Sequence, residues 1–163
     1  MDYRSHRSGP IAVHDLQYVI QAEYRSMIYA QRLSHLAPPE HRIHFGRHVE
    51  IKQKERLAAW TRLYYQLTGC YPVFSKVEPP KDYVSGLRSA IDDALNAADL
   101  YAWLLDSWHE PQLQRMLQRA MNGETRWAVR QQFLYSSYLS ESGNMVNSKE
   151  GLIGVIKKQL PRI

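Results

Sequence analysis

Glu23 and Glu124 each stand in the middle of an otherwise apolar helical stripe, and Gln53 and Arg56 interrupt a third stripe in the same way. Leu16, Val19, Ile20, Glu23, Met27, Ala30 and Leu33 share one helical face. So do Phe45, Val49, Gln53, Arg56, Trp60, Leu63 and Leu67, and again Leu113, Leu117, Ala120, Glu124, Trp127, Gln131 and Leu134. Carboxylates turned inward either offer hard oxygen donors to cations or balance a buried positive charge. Arg56 points to the second use, because a permanent positive charge repels cations and a guanidinium donates hydrogen bonds without offering a lone pair. The packing alternative is that Arg56 reaches water from the stripe edge and that both glutamates are partly exposed.

Four long helices must carry these residues. The first is expected from about Asp15, as N-cap, until Pro38 and Pro39 end it. The second is expected from about Pro39 to Thr68, with Gly69 as its C-terminal cap. Tyr71 to Asp82 holds Pro72, Pro79 and Pro80 and reads as a long crossover. The third helix, about Tyr83 to Ser107, places Leu87, Ile91, Ala94, Ala98, Tyr101 and Leu105 on one face, and the fourth follows Pro111. From Ser136 the chain is rich in Ser, Asn and Gly, after which Leu152, Val155, Ile156 and Leu160 predict a short fifth helix. The domain reading is an arm over 1–14, a four-helix bundle over 15–137 and a tail with a short C-terminal helix over 138–163.

The unusual residues repeat. Glu23 lies 30 residues before Gln53 and 33 before Arg56, while Ala94 lies 30 before Glu124 and 33 before Trp127. Equal offsets on either side of a crossover are those of a duplicated helical hairpin. With this spacing, with Tyr29 six residues after Glu23, with the Leu63 to Gly69 end of the second helix, and with Asp92-Asp93-Ala94-Leu95 followed by Tyr101, the segment from about Asp15 to Tyr135 resembles the ferritin-like superfamily. Within it, the sequence is most similar to the small rubrerythrin-like domains that lack a rubredoxin module.

The resemblance implies an all-α, ferritin-like four-helix bundle of two helical hairpins joined by a long crossover. It also implies six inward ligands for two metal ions: one Glu from each of two helices and a Glu-x-x-His from each of the other two. Carried over position by position, Glu23 is kept, Gln53 and Arg56 stand where Glu and His belong, Ala94 stands where Glu belongs, and Glu124 is kept with Trp127 in place of His. Two glutamates do not satisfy a dinuclear iron or manganese centre. The expectation is therefore a lost di-metal site with no cofactor, Arg56 taking the cation's place between Glu23 and Glu124, and a non-catalytic structural or interaction scaffold that works most simply as a homodimer. The alternative from another class is an iron or manganese peroxidase or ferroxidase with a non-standard site built from Glu23, Glu124, His44, His48, Glu50 or Asp93. No catalytic residue is assigned.

Other features add little chemistry. His41, His44 and His48 share a face at the start of the second helix and form a weak surface candidate for a transition metal. Cys70 is single, which excludes an intramolecular disulfide and fits a reducing cytoplasm. No signal peptide or membrane-spanning run is expected, which argues for a cytoplasmic protein and against a membrane partner. The 21 Lys and Arg against 16 Asp and Glu give +5, but they are scattered without a basic block, which argues against nucleic acid. A weak nucleic-acid interaction through Arg4, Arg7, Lys157, Lys158 and Arg162 is the second alternative.

Overall fold

Pro38 and Pro39 end the first helix, α1 (Val13–Leu36), because the residue before a proline is driven to extended backbone; Ala37 adopts φ −63°, ψ 140° while its N–H still reaches the Leu33 carbonyl. The computed structural model describes the backbone of residues 12–159 and the side chains of 12–46 and 53–141. Helix α1 begins two residues earlier than Asp15, with Ala12 at the N-cap position and no side-chain cap; Asp15 instead lies in the first turn, where its charge complements the helix dipole.

The second helix is not continuous from Pro39. It divides into α2 (Pro39–Arg42), a 3-10 turn (Ile43–Phe45) and α3 (Arg47–Thr68). Gly46 marks the break with ψ 176°, a conformation outside the helical region, at the residue type that gains least from staying helical. At the other end Gly69 closes α3 with φ 71°, the left-handed cap expected there.

From Cys70 the crossover runs the length of α1. Gln17 Nε2 donates to the Val73 carbonyl at 2.6 Å, Ser75 N–H donates to Gln21 Oε1 at 2.9 Å, and Arg32 Nε donates to the Pro80 carbonyl at 3.2 Å. Rising numbers along α1 thus meet rising numbers in the crossover, which returns the chain to the end where α3 began. There Asp82 caps α4 (Tyr83–Ser107) by accepting from Ser85 N–H. Consequently α3 and α4 run parallel, while α1 with α3 and α4 with α5 form two antiparallel hairpins. No strand occurs among the described residues, and none of their helices is long and apolar enough to cross a membrane.

Helix α5 (Pro111–Gln159) corrects the expected tail. It passes through the Ser, Asn and Gly residues after Ser136 without a break, so the separate short C-terminal helix is the end of α5 instead. No proline interrupts this stretch before Pro161, and a polar residue or glycine costs a growing helix only about 0.5–1 kcal/mol. The apolar residues expected to pack that short helix, Leu152 to Leu160, and the arm up to Ile11 lie outside the described residues or side chains.

Two apolar clusters fill the bundle. One holds Leu33, Phe45, Tyr83, Leu87, Trp127 and Leu134; the other holds Leu16, Ile20, Trp60, Tyr101, Leu104 and Leu117. Between them lies a layer of buried polar side chains, Glu23, Gln53 and Glu124.

Candidate functional site: a buried polar layer at the waist of the bundle

Each helix hairpin contributes to the layer from both of its helices. Helix α1 supplies Glu23, α3 supplies Gln53 and Arg56, α4 supplies Tyr101 and α5 supplies Glu124. Glu23 and Glu124 are each 1% exposed, so each carboxylate needs a partner from the protein. Arg56 is that partner for both. Its Nε donates to Glu23 Oε2 at 3.1 Å, its Nη2 lies 3.0 Å from the same oxygen, and Nη2 also donates to Glu124 Oε1. The second oxygen of Glu23 accepts from the Tyr101 hydroxyl at 2.5 Å. Glu23 is thereby satisfied at both oxygens. Glu124 is not, since its Oε2 is buried and without a partner among the described residues.

Gly123 makes the reach of Arg56 possible. A Cβ at position 123 would come within 2.6 Å of Arg56 Nη1, so a larger residue there would require the guanidinium to shift. Among the described residues, Gln53 donates through Nε2 to Ser26 Oγ at 3.0 Å and leaves Oε1 without a partner, and the amide of Gln131, fully buried one turn beyond Trp127, has none either. Trp127 fills the volume beside the layer, packing edge-on against Phe45 at a centroid distance of 5.7 Å, in the same apolar cluster as Ala94.

The electrostatics follow from two anions sharing one cation. Burial pushes the Glu124 carboxyl up to about 7, with Glu23 adding to the shift and Arg56 opposing it. Burial alone would lower the Arg56 value, but Glu23 and Glu124 outweigh it and hold the guanidinium above its ordinary range. Burial, reinforced by Glu23 and Glu124, raises the Tyr101 phenol, which therefore stays a hydrogen-bond donor. Because Glu124 is raised from 4.5 to about 7, the folded chain keeps a proton in that window that the unfolded chain releases. The stability this contributes is complete below about pH 4.5 and is lost as pH rises through 7. Glu124→Gln, neutral throughout, is expected to gain about 2–3 kcal/mol on the parent between pH 5 and pH 8. Urea unfolding at both pH values reads this directly, and a pH-independent difference would show that Glu124 is ionised in both states.

The remaining sequence candidates do not join the layer. His41, expected on the surface, is 4% exposed, and its Nδ1 lies 3.0 Å from the Tyr83 hydroxyl. It lies in α2 while His44 lies in the 3-10 turn, so the two do not share one continuous helical face, and His44 meets the edge of Phe133. The side chains of His48 and Glu50 lie outside the described residues. Asp93 accepts from Arg25 Nε at 2.6 Å, and Arg25 also bonds and covers Tyr29, so this carboxylate is committed elsewhere. No group of three or more His, Cys, Asp or Glu suited to a metal occurs among the described residues. Ser26 and Gly123 were missed by the sequence reading, although a glycine in mid-helix beside a buried glutamate is itself a signal of close approach.

No family model matches the chain and no curated protein matches it. Two solved structures share its fold. A hypothetical protein from Pyrococcus furiosus is 17% identical with a TM-score of 0.68, covering 78% of this chain and 90% of its own. A conserved hypothetical protein from Mycobacterium tuberculosis is 11% identical with a TM-score of 0.64, covering 74% of this chain and 94% of its own. At such identities the likeness shows an all-helical bundle and nothing of function.

Proposed function

We propose that this chain is a ferritin-like, rubrerythrin-like bundle in which an internal ion triad replaces a dinuclear metal centre, and that it serves as a non-catalytic cytoplasmic scaffold. The observation that carries the reading is the position of Arg56, whose guanidinium bridges Glu23 and Glu124 across three helices. Parallel α3 and α4 with a bundle-long crossover between them support the ferritin-like assignment, since that family uses one such connection. The donor set does not fit two divalent cations. Gln53 offers one neutral oxygen, Ala94 and Trp127 offer none, and Arg56 brings positive charge to the position a cation would need. Every buried charge in the layer is engaged inward, which leaves association as the role.

The partner we propose is a second copy. Val129 and Phe133, one turn apart on α5, are 66% and 61% exposed, an apolar pair that a contact with another chain would cover. The test is elemental analysis of untagged protein purified without chelator, with the mass in solution measured on the same sample. Iron and manganese well below one ion per chain, together with twice the 19.1 kDa chain mass, is the expected result. Stoichiometric iron or manganese, or peroxide turnover, would replace the scaffold reading by the metalloenzyme one.

A further inference from the structure

The two hairpins do not close on each other everywhere. Between α3 and α5 a groove of about 710 Å³ opens above the polar layer, within the size range of about 300–1,000 Å³ typical of small-molecule sites. Its position between helices of a bundle is one of the places where such sites recur.

The groove has a charged edge and an apolar wall. Arg119, Arg126 and Arg130 line it from α5 at spacings of 7 and 4 residues, which on a helix falls within one narrow stripe. All three are exposed, and Arg126 is steadied by a bond from its Nε to the Asn122 carbonyl at 3.2 Å. Arg56 and Glu124 lie at the base and are engaged with each other, so three arginines face Glu55 as the only other carboxylate of the lining among the described residues. Ala59, Met116 and Trp127 supply the apolar wall. Three guanidinium groups in a row beside an apolar slot match a ligand with an anionic head and a flat hydrocarbon body. A polar solute without that body would gain only the screened attraction of exposed charges.

We propose that the α3–α5 groove binds a small organic anion, a phosphate- or carboxylate-bearing molecule with an aromatic body, its head held by the Arg119, Arg126 and Arg130 row and its body against Ala59, Met116 and Trp127. This site stands on the groove and its lining alone, so it fails or survives separately from the loss of a metal centre. Arg126→Gln with Arg130→Gln removes two charges from exposed positions. Ala59→Phe fills the slot without changing charge.

The probe is 1-naphthyl phosphate, titrated calorimetrically into the full chain at low salt, with 1-naphthol and inorganic phosphate as its separated halves. The parent is expected to bind the whole probe with a dissociation constant below about 1 mM. It should bind at least about tenfold more tightly than either half, because body and head are recognised together. Both the double arginine variant and Ala59→Phe are expected to weaken the probe by about tenfold or more while keeping parental circular dichroism. No measurable binding of the probe, equal binding of inorganic phosphate, or an affinity untouched in two folded variants would each overturn the site.

Discussion

Replacing Arg56 with methionine is expected to cost about 3–5 kcal/mol of folding stability, the penalty for removing one partner from a buried ion group. That is a third or more of what a domain of this size usually has, about 5–15 kcal/mol, so the variant should unfold at markedly lower urea or temperature. Methionine keeps the length of the stem, which makes the loss electrostatic. Glu23 would retain only its bond from Tyr101, and Glu124 would retain no partner among the described residues. Glu124, already raised by burial, would lose the Arg56 charge that opposes the shift, and the variant should recover stability as pH falls, a steeper acid rescue than the parent shows.

The same reasoning makes a compensated variant informative. Arg56→Met combined with Glu23→Gln and Glu124→Gln removes all three charges at once, and it is the unpaired charge rather than the missing bridge that carries most of the penalty. Strong non-additivity between the single and triple variants is the mark of one coupled network. A loss for Arg56→Met within about 0.5 kcal/mol, the range of ordinary surface substitutions, would mean that the guanidinium is not holding the layer together.

Much of this layer was legible in the chain because helical periodicity is strong where stripes are long. Glu23, Gln53 and Glu124 fall on apolar faces, and a buried guanidinium such as that of Arg56 is best balanced by a carboxylate. The end of α1 before Pro38 and the Gly69 cap follow from proline and glycine positions that fix the backbone locally. What was not legible depends on contacts between distant segments. The second helix divides into α2, a 3-10 turn and α3, and His41 in α2 faces Tyr83, a residue that signals nothing of this contact in sequence. The unbroken course of α5 past Ser136 was hidden because Ser, Asn and Gly lower helix propensity without forbidding the helix. The groove was invisible for a third reason. It arises where two hairpins fail to meet, a property of their separation that no single stripe encodes.

Building a six-donor pattern at these positions should produce the opposite extreme. Gln53→Glu, Arg56→His, Ala94→Glu and Trp127→His together would complete, with Glu23 and Glu124, the six-donor pattern of two Glu and two Glu-x-x-His. Ala94 and Trp127 belong to the same apolar cluster. Ala94→Glu alone would force a long carboxylate into that packed cluster, an overpacking cost of about 1–3 kcal/mol besides the buried charge. Replacing the indole by the smaller imidazole frees volume in the same cluster, so the pair should cost less than the sum of its parts.

Without metal the fourfold variant holds four carboxylates at the waist and no arginine, and it should be several kcal/mol less stable than the parent by analogy with other uncompensated buried ions. Cobalt(II) offers a visible readout. Two equivalents per chain should saturate a ligand-field absorption and raise the melting temperature steeply, since a ligand at 1,000 times its dissociation constant stabilises by about 4 kcal/mol. The parent under the same titration should show neither change, because Arg56 holds the two glutamates. A folded fourfold variant that takes up no cobalt would show that these mid-helix positions do not converge on a common centre. Metal binding by the parent as strong as by the variant would show that Arg56 yields to a cation, and the triad would then be a resting state rather than a replacement.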